Sequence, residues 1–97
     1  MPKAVDANHT AIVRVLRQLG CSVLDTHELG QGAPDIVCAR NGVTVCVEIK
    51  NPKADGKLRP GQVVWHAGWK GWRAVIETED DCIALVDAMA MSKEAAG

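Results

Sequence analysis

The sequence has no phenylalanine and no tyrosine, and its only aromatic residues are Trp65, Trp69 and Trp72. With neither Phe nor Tyr available for a core, packing is the first use expected of at least one tryptophan. No apolar run approaches the roughly 18 residues of a membrane span, so no membrane partner is expected. The N-terminal stretch MPKAVDANHT lacks an apolar h-region, which argues against a secretory leader and for a cytoplasmic protein. There is no internal repeat and no low-complexity run, and 97 residues suffice for one modest core, so residues 1–97 read as a single domain. The four cysteines (Cys21, Cys38, Cys46, Cys82) form no CxxC pair. Three of them fall in apolar segments, where free cysteine behaves as a small hydrophobe, so reduced thiols are expected rather than disulfides or a cysteine-held zinc. A net charge of −1 also argues against a generic nucleic-acid binder.

That small net charge hides an uneven distribution. From Arg40 to Arg73 there are seven basic residues against the two acids Glu48 and Asp55, whereas from Ala74 onward Lys93 stands against six acids. A local basic surface of this kind is compatible with phosphate contacts, although charge clusters are commonly plain solvated faces.

The pattern of elements narrows the fold. A helix is predicted from about Asp6, which can cap it, to Leu19, with Ile12, Val13, Leu16 and Leu19 as its apolar stripe and Gly20 as its stop. The segment CSVLDTH (Cys21 to His27) reads as a strand and is followed by the glycine-bearing loop ELGQGA. Two further strands are hinged at Asn41-Gly42. After the polar loop NPKADGKLR, Pro60 suits the first turn of a second helix that runs to about Lys70, with Gly71 just past its end. WRAVIE is a fourth strand, and Thr78 with Asp81 resembles a capping box for a last helix carrying Ile83, Val86 and Met89. The predicted order is αβββαβα: an α/β fold, with helices on both sides of a small mixed sheet.

The central hairpin, GAPDIVCARNGVTVCVEIKNP, carries the chemistry. A two-residue type I′ turn at Asn41-Gly42 sets Val37 opposite Cys46, Ile36 opposite Val47 and Asp35 opposite Glu48. Directly opposed Cβ atoms lie about 4.5–5.5 Å apart, where like charges repel. Lys50 projects from the same face as Glu48, and Ile36, Cys38, Val43, Val45, Val47 and Ile49 collect on the other face, fit for burial. A single acid at a strand end is readily explained by exposure to solvent. Two facing acids with a same-face lysine point instead to a divalent cation, since paired hard oxygen ligands suit Mg²⁺ or Mn²⁺.

At these residues the chain resembles the PD-(D/E)XK nuclease superfamily. Pro34-Asp35 followed by Glu48-Ile49-Lys50 fits its signature, and the αβββαβ order fits its restriction-endonuclease-like core with an extra C-terminal helix. The helix PGQVVWHAGWKGW, with Gln62 soon after the hairpin, looks like the VRR-NUC and Holliday-junction-resolvase-like branches, and the likeness spans roughly Asp6 to Leu85. The resemblance implies Mg²⁺-dependent hydrolysis of DNA phosphodiesters, with Mn²⁺ able to substitute. Asp35, Glu48 and the main-chain carbonyl of Ile49 would hold the metal, Lys50 would position or activate water and stabilise the oxyanion, and Gln62 would reach the metal water or a phosphate, its equally open alternative being a plain solvent-facing glutamine. Many relatives carry a glutamate on the first helix; here Asp6, Asn8 and His9 stand in that region, and the sequence leaves open which of them substitutes.

The remaining polar and aromatic residues have plainer readings beside their functional ones. Lys53, Lys57 and Arg59 are the candidate DNA-backbone contacts. His66 shares a helical face with Gln62 but is expected to be packed. His27 and Glu28, and His9 with them, border the site by topology and are expected to be structural or exposed. Gly30 to Gly32 are expected to turn the chain. Trp65 and Trp69 share a face that could stack on bases or lie in a subunit interface. The combined expectation is a small endonuclease acting on branched DNA as a homodimer. A restriction-type or nicking nuclease on ordinary duplex, or a non-catalytic DNA-binding module, is the alternative.

Overall fold

The chain forms helix α1 (His9–Gln18), strand β1 (Ser22–Asp25), a 3₁₀ turn (His27–Leu29), the strands β2 (Ile36–Arg40) and β3 (Val43–Ile49), helix α2 (Pro60–Gly68), strand β4 (Trp72–Ile76) and helix α3 (Glu79–Ala96). The computed structural model describes residues 8–52 and 57–96, with side chains to residue 92. Asp6 and Lys53, the predicted helix cap and one predicted DNA contact, lie outside those residues. The predicted αβββαβα order is observed. The four strands form one mixed sheet in the order β1-β2-β3-β4, antiparallel except for the parallel β3–β4 pair.

Asn41 and Gly42 both take positive φ (53° and 82°), as a type I′ turn requires. The turn gives the predicted register, Ile36 opposite Val47 and Val37 opposite Cys46. Ile36, Cys38, Val45, Val47 and Ile49 are accordingly buried on one face, with Ile76 of β4 beside them. Ile12 and Leu16 of α1 and Cys82, Leu85, Val86 and Met89 of α3 join the same cluster. The other sheet face carries Glu48, whose side chain meets Gln62 of α2. Because neighbouring residues of a strand point to opposite faces, α2 lies across the sheet from α1 and α3.

Several boundaries differ from the predicted ones, each for a local reason. α1 begins at His9, and Asn8 does not cap it with its side chain. The Asn8 amide instead donates to the carbonyls of Lys50 (3.0 Å) and Glu77 (2.7 Å), tying the helix start to the chain just past β3 and β4. β1 stops at Asp25 rather than His27 because the Asp25 carboxylate accepts the His27 N–H (3.0 Å) and turns the chain. α2 ends at Gly68, short of Lys70, where the Trp69 indole N–H donates to the Trp72 carbonyl (3.2 Å) and closes the bend into β4.

At the start of α3 the capping box is present: Asp81 N–H donates to Thr78 Oγ1 (3.2 Å) and Thr78 N–H to Asp81 Oδ2 (3.1 Å). Ile83, predicted for the apolar stripe, is 48 % exposed. The buried stripe is Cys82, Leu85, Val86 and Met89, spaced as one helical face. All four cysteines are free and buried, and burial pushes the Cys38 thiol up to about 12 and that of Cys82 to about 11. They are packing residues rather than nucleophiles. Among the described residues, no helix is long and apolar enough to cross a membrane.

Candidate functional site

The end of β3 departs from a regular ladder at the residue the sequence singled out. Asp35 gives its N–H to the Val47 carbonyl (3.0 Å) while its own carbonyl accepts from Thr26 (2.8 Å), so it reaches toward both neighbouring strands. Its Oδ2 accepts the Ile49 N–H (2.8 Å). The direct opposition of Asp35 and Glu48 expected from the turn is thus replaced by a side-chain cap on the last residue of β3. In an extended strand the N–H and C=O of one residue point the same way, so the Ile49 carbonyl also lies on the Asp35 side.

Glu48 and Lys50 are both buried, at 2 % and 7 % exposure. Taking each ion out of water costs several kcal/mol, so each needs close partners. Lys50 Nζ lies 3.7 Å from Glu48 Oε1 and donates to Gln62 Oε1 at 2.8 Å. The Gln62 amide group in turn donates to Glu48 Oε1, and its Oε1 also accepts the Arg59 N–H (2.8 Å). Gln62 therefore joins the carboxylate, the ammonium and the first turn of α2 in one connected network. Lys50 is held in strand-like extension by its N–H to the Ile76 carbonyl (2.9 Å), which keeps it on the same face as Glu48.

The loop Gly30 to Gly32 does more than turn the chain. Gly32 has φ +80°, and a Cβ there would run into the carbonyl of Gly61 in the first turn of α2. The absence of a side chain lets this loop and the α2 N-terminus approach beside Gln62.

A second polar cluster, which no spacing in the chain announces, lies at the end of β1. His9 Nε2 lies 3.2 Å from Asp25 Oδ2, and His27 Nδ1 contacts Asp25 Oδ1. The two imidazole rings meet edge-on with centroids 5.6 Å apart. The hydrogen bond that the Asp25 carboxylate accepts from its ring raises the pKa of His27. For Asp25, partial desolvation acts upward, but the His27 and His9 contacts more than reverse it and hold the carboxyl below its ordinary range. The available signal was the strand pairing: Asp25 sits opposite Ile36, next to Asp35. His27 joins it only through the turn that Asp25 itself closes, and His9 only by the packing of α1.

Among the other predicted residues, Lys57 and Arg59 are exposed and precede α2. His66 is buried as expected but incompletely satisfied. Its Nδ1 is 3.5 Å from an Arg73 guanidinium nitrogen, and its Nε2 has no hydrogen-bond partner among the described residues. Burial, reinforced by the charges of Arg73 and Lys50, lowers its pKa. Trp65 stacks on Trp69 at 4.8 Å between centroids, while Trp69 and Trp72 remain partly exposed. Of the candidates for the missing helical glutamate, Asn8 gives its amide N–H groups to two backbone carbonyls while its buried Oδ1 has no hydrogen-bond partner among the described residues, and His9 lies against Asp25.

No protein-family model, curated protein or solved structure matches the chain.

Proposed function

We propose that the protein is a divalent-metal-dependent endodeoxyribonuclease with a PD-(D/E)XK core, of the VRR-NUC or Holliday-junction-resolvase-like kind. The observation that carries this reading is the network of Glu48, Lys50 and Gln62 at the end of β3, beside the Asp35 cap on Ile49. A buried lysine next to a buried carboxylate is a costly arrangement that packing alone would avoid.

The donor set fits a hard cation. Asp35 Oδ1, the Glu48 carboxylate and the Ile49 carbonyl are oxygens from adjacent positions, the class that Mg²⁺ and Mn²⁺ take. When bound, the ion supplies a lowered water pKa and neutralises charge on the scissile phosphate. The chain's own residues do the rest. Asp35 fixes the end of β3 through Ile49. Lys50, aimed by Gln62, offers its ammonium to a developing oxyanion. Gln62 ties these groups to α2, preceded by the exposed Lys57 and Arg59, which together with Lys53 supply positive charge for the DNA backbone. Branched DNA is the proposed substrate, cut by a homodimer, because paired incisions need two sites.

The test is a cleavage panel of four-way junction, flap, duplex and single strand with Mg²⁺, Mn²⁺ or Ca²⁺. Cleavage of the branched substrates with Mg²⁺ or Mn²⁺ but not Ca²⁺ is the expected result. Preferential cutting of plain duplex would make it a restriction-type or nicking enzyme. Binding without cleavage under every condition would make it a DNA-binding module and end the nuclease reading.

A further inference from the structure

Three side chains from separate parts of the chain converge at the end of β1, outside the network just described. His9 comes from the first turn of α1, Asp25 is the last residue of β1, and His27 opens the 3₁₀ turn. One ligand atom from each lies within 4.8 Å of the other two. The His9 Nε2 to Asp25 Oδ2 separation of 3.2 Å is close to the roughly 3.3 Å between neighbouring ligand atoms around a tetrahedral ion with bonds of about 2.0–2.1 Å. We propose that His9, Asp25 and His27 form a transition-metal site of the zinc class, distinct from the Asp35–Glu48 position.

Burial, orientation and ligand chemistry support it. His9 is 6 % exposed, yet its Nδ1 makes no hydrogen bond among the described residues, so the contact with Asp25 is the ring's sole polar anchor there. Burying an imidazole for a single hydrogen bond is a poor exchange, and coordination through Nε2 would replace that bond with a stronger one. The two rings meet edge-on rather than stacked, and one nitrogen of each lies within 4.8 Å of the other and of an Asp25 oxygen. The Asp25 side chain is half exposed and that of His27 about one-fifth exposed, so an ion and its remaining water ligand have a path from solvent. Two imidazoles and one carboxylate select zinc, cobalt or nickel over magnesium, which prefers all-oxygen shells.

The position also gives the site a consequence. Thr26, between two of the ligands, donates its N–H to the Asp35 carbonyl (2.8 Å) and its hydroxyl to the Pro34 carbonyl (2.8 Å). An ion bound to Asp25 and His27 would therefore stiffen the segment that holds Pro34 and Asp35 in place. The inference does not depend on the nuclease reading.

The test uses the full chain and the metals alone. Co²⁺ and Zn²⁺ are titrated by calorimetry, and the Co²⁺ form is followed by visible absorption, for the wild type and for the His27→Ala, Asp25→Asn and Glu48→Gln variants. His27 is accessible enough that its truncation should leave the fold intact, which a thermal melt of the metal-free variant checks. The wild type should bind one tight equivalent, separate from any weaker binding at the Asp35–Glu48 position, with a cobalt spectrum free of thiolate charge-transfer bands. His27→Ala and Asp25→Asn should each weaken binding by about 100-fold or more, at least the upper end of what loss of an outer-shell partner costs. Glu48→Gln should keep the tight equivalent and lose only the weaker binding at the Asp35–Glu48 position. Absence of binding, a thiolate band, unaltered affinity in His27→Ala, or loss of the tight equivalent in Glu48→Gln would each overturn the assignment.

Discussion

Glu48 carries its negative charge to a place where 2 % of its surface meets water, and Lys50 and Gln62 are what make that tolerable. The turn geometry alone suggests that Asp35 and Glu48 repel, so that neutralising one of them would stabilise the fold. The side-chain contacts reverse that sign. Asp35 is engaged by the Ile49 N–H and Glu48 by Lys50, so Glu48→Gln leaves a buried ammonium without its counter-charge. This variant should melt below the wild type in EDTA, by a destabilisation on the order of 1–3 kcal/mol, less than the full cost of an isolated buried ion because Gln62 still accepts from Lys50. Glu48→Gln combined with Lys50→Met should recover part of the loss, and thermal unfolding of the set decides it. A Glu48→Gln protein that melts higher than the wild type would return the two acids to mutual repulsion. In the proposed reaction, Asp35→Ala, Glu48→Ala and Lys50→Ala should each reduce cleavage by at least about 100-fold, the scale of a lost transition-state contact, with DNA binding measured in parallel and largely retained.

His66 adds a pH signature at the same scale. Its folded pKa lies below the ordinary 6.5 through burial and then through Arg73 and Lys50. Between pH 6.5 and the lower folded value the unfolded chain binds a proton that the folded chain refuses, so this group's stabilisation holds above 6.5 and drains away as pH falls. His27 has the opposite sign: Asp25 raises its pKa, so its contribution is full below 6.5 and is lost as pH rises through the raised value. His66→Asn should therefore flatten the decline of melting temperature on acidification from about pH 6.5 to 5, the window set by the histidine reference value. An unchanged slope would assign the decline to other groups.

At the scale of elements, the union of loop and helix near the site rests on Gly32. Its positive φ and the Gly61 carbonyl facing its missing Cβ mean that Gly32→Ala must move the loop, the first turn of α2, or both. The expected cost is about 1–3 kcal/mol, typical of a residue forced into overpacked backbone. The sharper sign is a displaced Gln62, read as a larger fractional loss of cleavage than of folded protein. The α3 capping box offers a control outside that network of side chains. Thr78→Ala should cost about 1 kcal/mol, as cap removal usually does, and leave cleavage per folded molecule unchanged. Parallel loss of activity in Thr78→Ala would mean that α3 and the site are coupled.

At the scale of the whole molecule, charge and apolar surface lie near one another around α2. Lys57 and Arg59 precede the helix, and Val63, Val64, Trp69, Trp72 and Val75 are exposed on α2, the bend after it and the edge strand β4. Substituting Lys53 and Lys57 together with alanine should weaken binding to every DNA substrate alike and flatten the salt dependence by up to about two units of slope, one for each lost phosphate contact. An unchanged slope would move the DNA path elsewhere. The exposed apolar set gives the proposed homodimer a place to form, and light scattering at micromolar concentration measures it directly. A monomer mass would remove the dimer from the mechanism.

What the sequence determined by itself was whatever depends on near neighbours in the chain. Asn41-Gly42 specify a type I′ turn, and with a side-chain period of two that turn alone sets the register and sends Ile36, Cys38, Val45, Val47 and Ile49 to one face. Thr78 and Asp81 specify a helix start in the same local way. Glu48 and Lys50 were legible as same-face neighbours, and Gln62 as a residue close behind them.

The tertiary structure decided which polar groups share partners. Asp35 turns to the Ile49 amide where the β2–β3 ladder ends, its N–H having gone to the Val47 carbonyl. Gln62 is joined to Lys50 and Glu48 by the seating of α2 against Gly32, and Ile83 yields its core place to Cys82 and Leu85 once α3 packs. His9, Asp25 and His27 meet because a helix start, a strand end and a side-chain-closed turn are brought together by burial of the core on the opposite face from α2. Non-local contacts of that kind leave no period and no spacing in the chain, since they arise from the free energy of packing whole elements rather than from the preference of any one segment.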